Sequence, residues 1–464
     1  MNPSAPAKVL EALINDGDVD VRWGVAQNPS TPVKALEALA QDKNAKVRRG
    51  VARNPSVPVA ALEMLSKDKD AEVRRRIVSA PIIPVSFLES FAMDKDSNVR
   101  LRVAHNPSAP MSALEVLAKD KHTEVRSLAV SNPSISVELL GTLSRDGNAK
   151  VRWGVAQNPS TPVKLLETLA QDKAAEVRTA VASNPSTPVM LLETLVQDRS
   201  AKVRSWVAFN SSIPVKLLEA FAQDKNVEVR VMATMNHSIP VALLEVFATD
   251  RDPRVRCKVA ECRSLPTRNL ETLAEDRDTW VRRQVAANSS NPVAVFVMLA
   301  KDGDIEIRKK VATNTAAPAV VLETLARDQD CEVCGQVAAN PSASVTLLKK
   351  LAAHQDSWVR RKVATNPSAP AATLEALARD RDSWVRREVA SNPVSPAKVL
   401  ETLAKDQDSS VRWEIAKNPS TPVAVLVTLA KDEEILVRQA VAHNPSAHVA
   451  VLNIFAEDDR QNAF

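Results

Sequence analysis

The sequence predicts an all-α solenoid with no β-sheet, and three observations carry that reading. A Val-Arg pair recurs every 26 residues from Val21 to Val437, with Ile307-Arg308 and Val333-Cys334 in two of the slots. The spacing holds without insertion or deletion over seventeen occurrences, which marks an array of one repeated unit. Gly is scarce at 8 and the 29 Pro are almost all periodic, a pattern foreign to β folds and to low-complexity chains. Within each unit, apolar residues recur twice at helical spacing.

The unit Asn158 to Asn184, NPSTPVKLLETLAQDKAAEVRTAVASN, shows each element in order. Ser160 and Thr161 before Pro162 read as a helix start, a side-chain cap followed by Pro at the first turn. Val163, Leu166, Leu169 and Ala170 then share one face of a short first helix. Asp172 ends it and is expected to cap a second helix whose buried arc carries Val177, Val181 and Ala182. Asn184-Pro185 stops that helix, because the residue before Pro is pushed out of the α region. Helices of about ten residues are too short to persist alone in water. Stacking them buries the Val, Leu and Ala faces in a continuous core, so the whole chain, 1–464, reads as a single array of about seventeen repeats stabilised by neighbour contacts. It starts with a helix near Pro6 and ends with an unpaired helix near 449–455. The fourteen residues Val21–Lys34 recur identically at Val151–Lys164, five units on, which reads as a block duplication.

Charge is periodic in the same frame. An Asp precedes each Arg by six residues, as in Asp16 with Arg22 and Asp172 with Arg178. The Arg falls inside the buried arc, where an unpaired charge is costly, so each is expected to pair with an Asp of its own or the adjacent unit. In two neighbouring units the pattern breaks: Cys334 replaces an Arg after Asp328, and His354 replaces an Asp before Arg360. Easier local opening is therefore expected between about 328 and 360.

The recurring VRxxVAxNPSTPxxLLExLAxD resembles the leucine-rich repeat variant over essentially the whole chain. The resemblance implies a right-handed superhelix of paired short helices, one α and one 3₁₀. It also brings an iron–sulfur cluster on a separate cysteine-bearing N-terminal segment; here the repeat frame begins at residue 2, so no such cluster is expected. The Asp and Val-Arg pattern is similar to HEAT repeats too, which implies that the helices carrying Arg line the concave surface.

Several function classes are disfavoured by the residues themselves. A net charge of +5 is mild for 464 residues and calls for neither nucleic acid nor an acidic membrane. Neither a leader-like start nor a run of about eighteen apolar residues is seen, so a cytoplasmic chain is expected. Cys257, Cys262, Cys331 and Cys334 do not form a disulfide framework, and the two pairs lie three units apart, too far for one metal. No cofactor or metal is expected. The six His (His105, His122, His237, His354, His443 and His448) share no partner, and no phosphate loop, nucleophile elbow or zinc motif appears, which argues against an enzyme.

What breaks the periodicity is the solvent face of the second helix. Trp23, Trp153, Trp280, Trp358, Trp384 and Trp413 lie there, with Arg283, Arg361, Arg387 and Lys417 about one turn after four of them. Trp beside Arg is the usual make-up of a protein-binding hot spot. The expected function is a scaffold that takes a protein or peptide in its groove. The alternative is nucleic-acid binding through Arg49, Arg53, Arg75, Arg76 and Arg102, against which Glu72, Glu124, Glu176, Glu228, Glu306 and Glu332 fall in the same stripe.

Overall fold

A computed structural model describes residues 5–80 and 83–447. Among them lie 34 α-helices, numbered here in chain order from α1 (Ala7–Leu13) to α34 (Ile435–His443), and no strand. They make seventeen pairs in the predicted frame, a seven- or eight-residue first helix followed by a seven- to nine-residue second one. The expected unpaired helix near 449–455 lies outside the described residues. The chain divides into two compact units, Met1–Ser238 with α1 to α18 and Ile239–Phe464 with α19 to α34. Within each unit the second helices pack side by side, as α12 (Ala149–Gln157) packs on α14 (Ala175–Ser183). No described helix is long and apolar enough to cross a membrane.

Both helices of each pair are α-helical among the described residues, where the family resemblance implied one 3₁₀ helix. Three-residue bonds of 3₁₀ type occur at the helix ends, in the first turn, where the Leu165 amide donates to the Pro162 carbonyl at 2.9 Å, and in the last. In α13 (Val163–Leu169) the Ala170 amide donates to Leu166, four residues back, whereas Gln171 and Asp172 donate to Thr168 and Leu169, three back. Such tightening supplies partners for carbonyls that the helix end leaves open.

The helix starts differ from the sequence reading. Pro162 itself is the N-cap of α13, and no side chain caps it. The Thr161 hydroxyl instead donates to the Val155 carbonyl at 2.6 Å, tying the first helix back to the second helix before it. Leu166, Leu169 and Ala170 are buried as expected, but Val163 is 45% exposed. It occupies the first turn, from which side chains lean back toward the N-terminus, beyond the reach of the packed layer. On α14, Val177, Val181 and Ala182 are fully buried.

Two ladders join the repeats. The terminal Asn184 is buried and donates to the carbonyls of Ala156 (2.7 Å) and Asn158 (3.2 Å), the C-terminal end of the preceding second helix. The same bond recurs between Asn54 and Asn444, interrupted where Ala80 and Cys262 take the Asn position. Arg178 supplies the other ladder. Its Nη1 donates to the Asp172 carbonyl at 2.7 Å, while Nε and Nη2 donate to Asp198 Oδ2 and Oδ1 at 2.6 and 2.9 Å. The carboxylate that binds each Arg thus belongs to the next repeat, and the preceding Asp contributes its backbone oxygen. Each side chain of the Arg178–Asp198 pair is 7% exposed.

Within a rung, burial pushes the Asp198 carboxyl up, and the hydrogen bonds from Arg178 and the Ser200 amide, with the Arg178 charge, outweigh it and hold the carboxyl below its ordinary value. The same balance lowers Asp42, Asp68, Asp94, Asp120 and Asp172. A carboxyl depressed on folding contributes stability that is full above its unfolded pKa and is lost as pH falls through the folded one. Acid titration followed by circular dichroism should therefore show helix content flat down to about pH 4 and lost below it. Loss that begins near neutral pH would contradict the rungs.

Candidate partner-binding face

The second helices of the Ile239–Phe464 unit place the aromatic and charged side chains in one continuous row. On α30 (Ser383–Ser391), Trp384 is capped in by Asp382, whose carboxylate accepts its amide at 2.9 Å, and its side chain is 53% exposed. The guanidinium of Arg361, on α28 (Ser357–Thr365), sits 5.1 Å from the Trp384 ring centre, and that of Arg387 sits 5.0 Å from it. Arg387 also lies 6.0 Å from the ring of Trp413, on α32 (Ser409–Lys417), and Lys417 covers that ring at 3.9 Å. Cation and ring therefore alternate across three repeats, from Arg361 to Lys417. Each such contact is worth about 0.5–1 kcal/mol where water reaches it.

The arginines expected to meet a partner's carboxylates are already engaged. Arg361 Nη2 donates to Glu388 at 2.8 Å, and Arg387 donates through Nε and Nη2 to Glu414 at 3.0 and 2.8 Å. Both carboxylates belong to the following repeat. They fix the guanidiniums beside the rings at the cost of their free charge. Further toward the N-terminus, on α22 (Thr279–Ala287), Trp280 is 64% exposed, with Arg283 5.4 Å from its ring and 3.6 Å from Glu306. On α24 (Ile305–Thr313), Lys309 bridges Glu306 at 2.9 Å and Glu332 at 2.6 Å.

Trp358 has a different setting. A Cβ built on Gly335, on α26 (Cys331–Ala339), would fall 1.6 Å from its ring, so the indole rests on the bare backbone of the preceding repeat. It is half-buried, and its outer side meets Lys362 at 5.4 Å. In the other unit, Trp23 is half-buried beside Gly50 with Lys46 5.0 Å from its ring, Trp153 is half-buried, and Trp206 packs edge-on against Phe209 at 5.8 Å.

The basic cluster is partly neutralised. Glu72 accepts from Arg75 at 2.6 Å and from Arg76 at 2.8 Å, and the Arg75 bond foremost holds its carboxyl down to about 2. Arg49 turns back to the Ala45 carbonyl at 3.2 Å, Arg53 is exposed, and Arg102 borders an open pocket with His105 and Pro107. Cys331 is exposed and Cys334 buried, its thiol pushed up to about 11 by burial; no described group of three or more His, Cys, Asp or Glu is placed to hold a metal. His448 lies outside the described residues.

Glu388, Glu414 and Lys362 were missed by reading the sequence. The Arg361–Glu388 and Arg387–Glu414 pairs each span 27 residues, one repeat plus one, and that recurring offset was the available signal.

The leucine rich repeat variant family model matches residues 175–200 and 358–382. The solved structure titled as a leucine-rich repeat variant with a novel repetitive protein structural motif is 29% identical, covering 48% of this chain and 88% of its own, with a TM-score of 0.38. Kap121p bound to RanGTP is 14% identical over 93% of this chain and 52% of its own, with a TM-score of 0.31; Kap121p bound to Pho4p is 13% identical over 94% and 53%, with a TM-score of 0.31. This chain thus spans about half the length of Kap121p. No curated protein matches. The repeats at 175–200 and 358–382 match the leucine rich repeat variant, as the sequence resemblance implies, within a chain of helical, solenoid-like repeats.

Proposed function

We propose that this chain is a non-enzymatic scaffold that binds a protein or peptide on the second-helix face of the Ile239–Phe464 unit, centred on Trp384. The observation that carries the reading is an indole more than half exposed between two guanidiniums, each held by a carboxylate of the next repeat. Repeat stability gives no reason for such a ring, since most other repeats fold with a charged or small polar residue at that position, as in Lys46, Glu72, Asn98 and Ser410. A fixed aromatic surface loses little side-chain freedom on binding, which favours affinity. Trp280 lies four repeats before Trp384 on the same helix position, while Trp358 serves mainly to join repeats.

Panning a displayed random-peptide library on the wild-type protein, with the Trp280→Ala/Trp384→Ala variant as counter-selection, tests the reading. Enrichment of peptides that the variant fails to retain is the expected result. Enrichment that is equal on both proteins would place the binding surface elsewhere.

A further inference from the structure

The aromatic face offers a partner two lysines, one without a carboxylate among the described residues and one loosely paired. Lys362 sits over the Trp358 ring and has no carboxylate within ion-pair reach among the described residues. Lys417 sits over Trp413, is 3.7 Å from Glu414, and has a side chain 49% exposed. They belong to α28 and α32, with Trp384 on α30 between them. Adjacent packed helices lie about 8–10 Å apart, which puts two repeats at roughly 16–20 Å. An extended chain rises about 3.3 Å per residue, so that span takes about five or six residues.

Resting on the aromatic docking surface proposed above, we infer that the partner segment is an extended acidic peptide. Two of its carboxylates, about five or six residues apart, pair with Lys362 and Lys417, and an apolar or aromatic side chain between them covers Trp384. Glu388 and Glu414 decide between a peptide and a nucleic acid. A phosphodiester backbone brings a negative charge at every step and would set some of them against these carboxylates. A peptide carries charge only on chosen side chains and can present neutral residues there. Glu388 is spent on Arg361, and Glu414 binds Arg387 at 2.8 Å more closely than Lys417 at 3.7 Å, so Lys362 is left uncancelled and Lys417 only partly cancelled.

The test uses the full chain and a fluorescent synthetic peptide with a central Phe and two Glu six residues apart, otherwise Ser and Thr, read by anisotropy. The expected result is saturable binding that weakens at least tenfold when both peptide Glu become Gln, and comparably in the Lys362→Gln/Lys417→Gln protein. The peptide-side change leaves the protein untouched, so misfolding cannot mimic it. If the Gln peptide binds as tightly and still requires Trp384, the acidic inference falls and the aromatic reading stands. If neither peptide binds, or binding ignores Trp384→Ala, both fall. A twenty-nucleotide single strand that displaces the acidic peptide at 0.15 M salt would overturn the inference in favour of nucleic acid.

Discussion

Cys334→Arg alone should destabilise the protein by roughly 3 kcal/mol, and so should His354→Asp alone, whereas the double variant should return close to wild type. The reason lies in how the rungs connect. Each Arg binds the Asp twenty residues later, so Cys334 and His354 are the two ends of one rung. Arg308 still holds Asp328 at 2.7 Å, and Arg360 still holds Asp380 at 2.6 Å while its Nη1 takes the His354 carbonyl at 2.8 Å. No charge is stranded. Cys334 is buried with its Sγ near the carbonyls of Asp328 and Ala326, at 3.4 and 3.5 Å, and His354 Nδ1 accepts the Asp356 amide as the usual Asp carboxylate would. Replacing both partners of a buried pair is close to neutral, but restoring one alone buries an uncompensated charge. Denaturant unfolding of the four proteins measures the coupling, and additive effects would show that positions 334 and 354 are not paired. The opening expected between 328 and 360 is correspondingly unnecessary, and hydrogen exchange there should match the flanking repeats.

Gly335→Ala should destabilise by about 1–3 kcal/mol in the wild type, because its Cβ would enter the Trp358 ring. In a Trp358→Ala background the same change should stabilise by up to about 1 kcal/mol, since Ala is the better helix former once the ring is gone. Trp358→Ala itself should lower stability by roughly 2 kcal/mol, less than a fully buried Trp would, because the ring is only half-buried. Trp384→Ala, by contrast, should melt within a few degrees of the wild type, because it forfeits only two exposed cation–ring contacts. Equal effects of Gly335→Ala in both backgrounds would show that the indole does not rest there.

The helix pairs, most of the buried Val and Leu faces and the existence of the Asp–Arg ladder were legible in the sequence, because a 26-residue period fixes which positions are equivalent. The same period hid the partners. An Asp six residues before an Arg and one twenty residues after it occupy the same place in the repeat, so only packing distinguishes Asp172 from Asp198 as the ligand of Arg178. For the same reason two breaks in the pattern looked like two defects. The candidate face was half legible. Trp and Arg stood out as departures from the repeat, but the Glu anchors of Arg361 and Arg387 resembled ordinary surface charge. Trp358 was indistinguishable from Trp384, because both precede Val-Arg; what separates them is Gly335 in the preceding helix, where most repeats carry a side chain.

Calorimetric titration of a library-selected peptide into wild-type and Trp384→Ala protein, with melting temperatures measured alongside, tests the central claim most directly. The expected outcome is a melting temperature within a few degrees of wild type, with affinity weakened by about 2 kcal/mol, roughly thirtyfold in Kd. Unchanged affinity in a variant that folds normally would contradict a docking surface centred on Trp384.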